Sequence, residues 1–137
     1  MKGSTVISEN VLTGLSIVIS FILMVLVVRV VLSYQSERAY ENLFESIARD
    51  ISMTIDREAG MSGSEIAEYE LPKGSHSNIR IDYKSVFVTY GDKTVKRSFS
   101  GLINSGPYEF NDPTIICFIK TGSRIDIFDR PCEEVPT

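Results

Sequence analysis

The sequence predicts an α+β protein: one long N-terminal helix, transmembrane and then amphipathic, packed on a small antiparallel β-sheet head. Three observations predict it. Residues 10–28 form an uninterrupted uncharged run made mostly of Val, Ile, Leu, Phe and Met. Apolar residues then recur at helical spacing up to residue 55. Beyond residue 68 the apolar period changes to two, which is the strand period. The organisation expected is a short leader or tail over 1–10, a transmembrane helix over 11–32, its amphipathic continuation over 33–60 and a β-rich extracytoplasmic head over 61–137.

The uncharged run has nineteen residues. At the α-helical rise it covers about 28 Å, close to the thickness of a bilayer core. A cleaved secretory signal would have a shorter apolar region followed by a small-residue cleavage site, and no such site follows here. A core helix of a soluble protein would need more chain around it than remains. Arg29 interrupts the apolar stretch before Val30, Val31 and Leu32, and from there its guanidinium can snorkel to the headgroups. The positive charges near the ends of the run are Lys2 on one side and Arg29, Arg38 and Arg49 on the other. Taken alone, that count favours a cytoplasmic C-terminus. The two cysteines and the β-rich tail favour an external one, and an external head is the expectation adopted.

No Pro or Gly occurs between Ile17 and Ala59, so nothing breaks the helix after the apolar run. Tyr40, Leu43, Phe44, Ile47, Ala48, Ile51 and Ile55 trace one stripe along a 3.6-residue period. Glu and Arg residues occupy the other faces, and Gly60 supplies a stop signal. The stripe fits packing on the head or pairing with a partner helix, and spacing alone does not separate the two.

In the head, 61–67 reads as a turn. Strands are expected at 78–83, 85–90, 94–99, 114–119 and 124–128, from the alternation of Ile79/Ile81/Tyr83, Val86/Val88/Tyr90, Val95/Phe99 and Ile125/Ile127 and from the apolar run TIICFI. Gly91-Asp92 marks a hairpin turn, and the Gly, Asn, Ser and Pro of 101–112 mark a loop. Without helices between the strands, a parallel α/β sheet is excluded. A head this small gains from a staple. A disulfide between Cys117 and Cys132 would close a loop and place the head in an oxidising space. The alternative is a buried free Cys117 and an exposed free Cys132.

Catalytic and ligand-binding signals are sparse. The net charge of −4 argues against a nucleic-acid partner. The chain has one His and two Cys, short of the four ligands of a structural zinc site; no metal and no cofactor is expected. It contains no G-x-G-x-x-G, P-loop, H-E-x-x-H or G-x-S-x-G. His76 lies in the polar loop KGSHSN and reads as a solvated side chain. The expectation is a protein without catalytic activity.

The order of features has a parallel. Lys2-Gly3 and Ser4 begin a short polar stretch containing Glu9, an apolar helix follows, then an amphipathic helix and a small β head. This layout resembles the type IV pilin-like proteins, in particular the archaeal branch with class III signal peptides, which includes pilins, archaellins and archaellum accessory subunits. The segments LPKGSHSNIRIDYKSVFVTYGD and TGSRIDIF are also similar to hairpins of small archaeal pilin-like heads. The resemblance implies cleavage by a prepilin peptidase after Gly3, leaving Ser4 first, with the N-terminus inside and the head outside. Glu9 would then be the sixth mature residue, where bacterial-type pilins carry a Glu at the fifth. Arg29, unusual in a helix packed within a filament core, would need a partner such as Glu9 of a neighbouring subunit. The function implied is a structural or minor subunit of a pilus-like or archaellum-like surface filament, or of its envelope anchor. Its partners would be the membrane, other copies or related subunits through the N-terminal helix, and a cell-envelope or surface protein through the head. A membrane-tethered binding module or accessory subunit that never polymerises is the alternative.

Overall fold

A computed structural model describes residues 2–103 and 105–136, giving only the backbone for 2–7. It has an α+β architecture: helix α1, Lys2–Gly60, precedes seven strands and one short 3-10 turn. The chain divides into two compact units, Met1–Tyr40 and Glu41–Thr137.

The first unit is helix alone. Between Val11 and Leu32 its large apolar side chains are 43–71% exposed. With apolar residues on every side, no rotation of the helix can hide them.

The second unit contains the end of α1 and all the strands: β1 Glu65–Glu70, β2 Asn78–Ile81, β3 Ser85–Tyr90, β4 Lys93–Ser98, β5 Tyr108–Asn111, β6 Ile115–Thr121 and β7 Arg124–Phe128. They form two antiparallel sheets, one ordered β1-β6-β7 and the other β4-β3-β2-β5. Two hairpins are built alike. Tyr90 faces Lys93 across Gly91-Asp92, and Thr121 faces Arg124 across Gly122-Ser123. In each the glycine takes a positive φ, 58° and 66°, as the twist of a two-residue hairpin requires.

One apolar core joins the helix and both sheets. Phe44, Ile47, Ala48, Ile51 and Ile55 of α1 meet Ile79, Ile81, Val86, Val88 and Phe110 of one sheet and Ala67, Ile116, Phe118, Ile125 and Ile127 of the other. Leu71, Phe99 and Ile103 close it from the connecting segments. Alternation is clean in β2 and β3, where Ile79, Ile81, Val86 and Val88 point inward.

The head's antiparallel strands are shared between two sheets, and it differs from the strand-by-strand expectation in three ways. Strand β1 begins at Glu65, inside the segment expected to be a turn, because its pairing with β6 supplies what the Glu-rich EIAEYE does not advertise. Strand β5 lies within the expected loop 101–112 and is held by β2. Tyr83 falls outside β2 and is 53% exposed. On the helix, Tyr40 is half exposed and lies in the first unit, whereas the buried stripe of the second unit begins at Leu43 and Phe44. Phe44 stacks on Tyr90 at the tip of the β3–β4 hairpin (ring centroids 4.9 Å apart), which marks how far the sheet reaches.

Candidate functional site

In the first unit the residues singled out by sequence lie along one helix. Lys2, Gly3 and Ser4 have helical backbone, and their side chains lie outside the described residues. Glu9 is exposed, and its backbone carbonyl accepts the Thr13 hydroxyl at 2.8 Å. Arg29 is exposed too. Twenty residues separate it from Glu9, about 30 Å along a helix, so the two cannot meet within one chain. Farther on, the Arg38 guanidinium lies 4.7 Å from the centre of the Tyr34 ring. By length and composition Ser8–Gly60 contains one stretch long and apolar enough to cross a membrane, and none of that stretch is buried within the chain.

In the second unit α1 is bound to the head by more than its apolar stripe. Lys93 Nζ donates to Glu41 Oε1 at 3.0 Å and Arg97 Nη2 to Glu45 Oε1 at 3.2 Å. One helical turn separates the two glutamates, so β4 and the helix are clamped at two successive levels. Both pairs are exposed and each is worth less than about 1 kcal/mol. About three turns later, Asp56 Oδ1 accepts the backbone N–H groups of Ser100 (2.7 Å) and Gly101 (2.8 Å). Gly101 is where the chain after β4 touches the helix: a Cβ there would stand 2.7 Å from the Ala59 Cβ. Only glycine permits that approach.

The C-terminal end of α1 is capped by a side chain from a distant strand. Lys120 of β6 is 5% exposed, and its ammonium donates to the carbonyls of Glu58, at 2.7 Å, and Met61. A cation suits the negative end of a helix, whose last carbonyls lack intrahelical partners. Glu58 is 2% exposed. Arg57 holds its Oε1 at 3.2 Å, and its Oε2 has no hydrogen-bond partner among the described residues. On the stripe's flank, Asp50 accepts from the Tyr69 hydroxyl; burial first, and the Asp50 charge second, push the phenol up to about 12.

Cys117 and Cys132 are joined by a disulfide. Cys117 is fully buried in β6, and the bridge ties the tail across the outer side of the β1-β6-β7 sheet. Glu68 of β1 adds a second tie, accepting the Cys132 N–H at 2.9 Å. Val135, three residues on, is 8% exposed.

His76 Nδ1 lies 3.0 Å from Asp112 Oδ2, both side chains largely exposed beside a cleft of about 200 Å³ formed by 70–76 and 112–114. The neighbouring Ser75 and Ser77 are buried, and Ser77 Oγ has no partner among the described residues. Among the described residues the ring's hydrogen-bond partner is the Asp112 carboxylate, and no hydroxyl or thiol is bonded to it as a nucleophile–base pair would require. A larger cleft of about 490 Å³ lies under the helix end between Ala59, Met61, Leu102 and Lys120. Among its described lining residues the cation is Lys120, already engaged with backbone carbonyls. Among the described residues no cluster of His, Cys, Asp and Glu could hold a metal ion.

Lys120, Asp56 and Gly101 are the structural residues that sequence reasoning missed. Lys120 alone carried a signal, as the charge ending the apolar run IICFI. Comparison with models of known protein families, with characterised proteins and with solved structures gave no match.

Proposed function

We propose that this is a non-catalytic, single-pass membrane protein that serves as a structural or minor subunit of a filament resembling type IV pili or archaella, or of its envelope anchor. The observation that carries the reading is the change of character along α1. Seventeen large apolar side chains from Val11 to Leu32 are exposed, while Ile47, Ile51 and Ile55 are fully buried under the head. Covering the first group is worth on the order of 20 kcal/mol, so that part of the helix is held in lipid or among other helices. Transfer from lipid to helix neighbours costs little hydrophobic energy and gains packing, which is the economy of an assembly that draws subunits from a membrane. The disulfide suits a head outside the cytoplasm, and Lys2-Gly3-Ser4 is the processing point that the resemblance implies.

Mass spectrometry of the native N-terminus, combined with recovery from sheared surface filaments, tests the reading. Chains beginning at Ser4 and present in the sheared fraction support it. An intact N-terminus in chains that stay with the membrane overturns it in favour of a tethered binding module.

A further inference from the structure

The exposed apolar part of α1 has a definite end. Val30, Val31 and Leu32 close it, and the polar run SYQSER follows. From Val11 to Leu32 the helix rises about 33 Å, close to the thickness of a bilayer core. Arg29 falls inside this stretch. Helical side chains lean toward the N-terminus of their helix, which takes the stem of Arg29 away from the near end of the span. A bilayer edge at Arg29 would also leave Val30, Val31 and Leu32 in water.

The same lean serves Arg38 well. Its Cα is six residues past Leu32, about 9 Å along the axis, beyond a headgroup layer about 5–7 Å deep. Its guanidinium reaches back one turn and lies 4.7 Å from the centre of the Tyr34 ring. Tyr34 is two residues past Leu32, about 3 Å, so the charge comes to rest inside that layer. Both side chains are exposed, and Arg38 forms no ion pair among the described residues. A guanidinium over a ring spends its face on the π system and keeps its N–H edge for an acceptor.

We infer that Arg38 and Tyr34 form a phospholipid-binding couple that sets how deep α1 sits in the bilayer. The Arg38 fork donates to a lipid phosphate, and the amphipathic Tyr34 ring fills the interface beside it. The occupant is lipid because the couple continues the exposed apolar stretch without a break. Glu37 offsets the charge of Arg38, so the surface does not gather acidic lipids and zwitterionic phospholipid suffices. The inference rests on the membrane-spanning reading above and adds to it a headgroup contact and a fixed depth.

The test uses the full chain in phosphatidylcholine vesicles. With arginine carrying carbon-13 at Cζ, solid-state NMR reads its dipolar coupling to lipid phosphorus, which a direct hydrogen bond places within about 5 Å. The native chain and Arg29→Leu show the coupling, and Arg38→Gln loses most of it. The chain has no Trp, so Leu32→Trp provides a single depth probe, quenched by lipids brominated along the acyl chain. Adding Arg38→Gln moves that probe toward water by at least about 3 Å, two residue rises, because Arg29 then draws the bilayer edge to itself. In a third chain Phe21→Trp marks the middle of the span and stays shielded from iodide in water. Quenching of Phe21→Trp by iodide overturns the membrane reading and this inference with it. A shielded Phe21→Trp together with an unchanged coupling or an unmoved depth probe in Arg38→Gln overturns the inference alone.

Discussion

Ile17 and Ile51 are the same side chain on the same helix, yet the first is 65% exposed and the second is not exposed at all. What separates them is the pattern in which each is embedded. Around Ile17 the apolar residues occupy every face, so no single neighbouring surface could cover them, and the segment needs an apolar surrounding. Around Ile51 they occupy one stripe, and one sheeted head covers it. Apolar content determines how much surface must leave water; its angular spread determines whether a folded domain or a continuous medium can take it.

The largest test of that contrast is truncation at both places. Ile51→Ala should lower head stability by about 2–5 kcal/mol, measured by denaturant unfolding of the full chain in micelles. Ile17→Ala should leave the same transition within about 0.5 kcal/mol. Equal losses would erase the distinction between the two units. Next comes the staple. Cys132→Ser opens a loop with a sequence separation of 15 and should cost about 3 kcal/mol, read from the same midpoint. A loss near zero would mean that the tail is held by Glu68 and Val135 without it.

Gly101→Ala sharpens the picture of how the helix is seated. The added methyl meets Ala59 and should cost about 1–3 kcal/mol. Ala59→Gly in the same chain should recover most of it, a non-additive pair that a loop effect alone would not give. The smallest effect at neutral pH belongs to the titration of Tyr69. Its folded-state phenol sits near 12 against an ordinary 10. Below pH 10 both folded and unfolded states keep the proton and stability is flat. Between 10 and 12 the unfolded state loses the proton first, so stability falls as pH rises. Tyr69→Phe should make that alkaline fall shallower, as pH-dependent unfolding would show; an unchanged slope would assign it to other groups.

Where the fold was legible in the sequence, a short-range signal existed. The helix announced itself by an unbroken 3.6-residue stripe without Gly or Pro, the β3–β4 hairpin by Val86 and Val88 alternating up to Gly91, and the disulfide by a cysteine in an apolar strand and another in the tail. Strand β1 was obscured by its three glutamates and by an inner side reduced to Ala67 and Tyr69. Strand β5 buries only Phe110 and follows Pro107. The division into two sheets was not readable because β1 finds β6 some fifty residues away. The same distance problem hid the contacts that seat the helix. Lys120 caps a carbonyl 62 positions earlier, and Asp56 binds amides 44 and 45 positions later. None of these side chains announces its partner locally.

The buried stripe also has a mechanical meaning. Ile47, Ile51 and Ile55 lie parallel to the helix axis beneath both sheets, with the Lys93 and Arg97 pairs at one end of the head and the Asp56 and Lys120 contacts at the other. A tug along the axis of this part of α1 therefore strains every rung at once, in shear, instead of peeling them apart one by one. Tension arriving from the helix is shared across the whole core, which makes the head a firm terminus for whatever pulls on its stem.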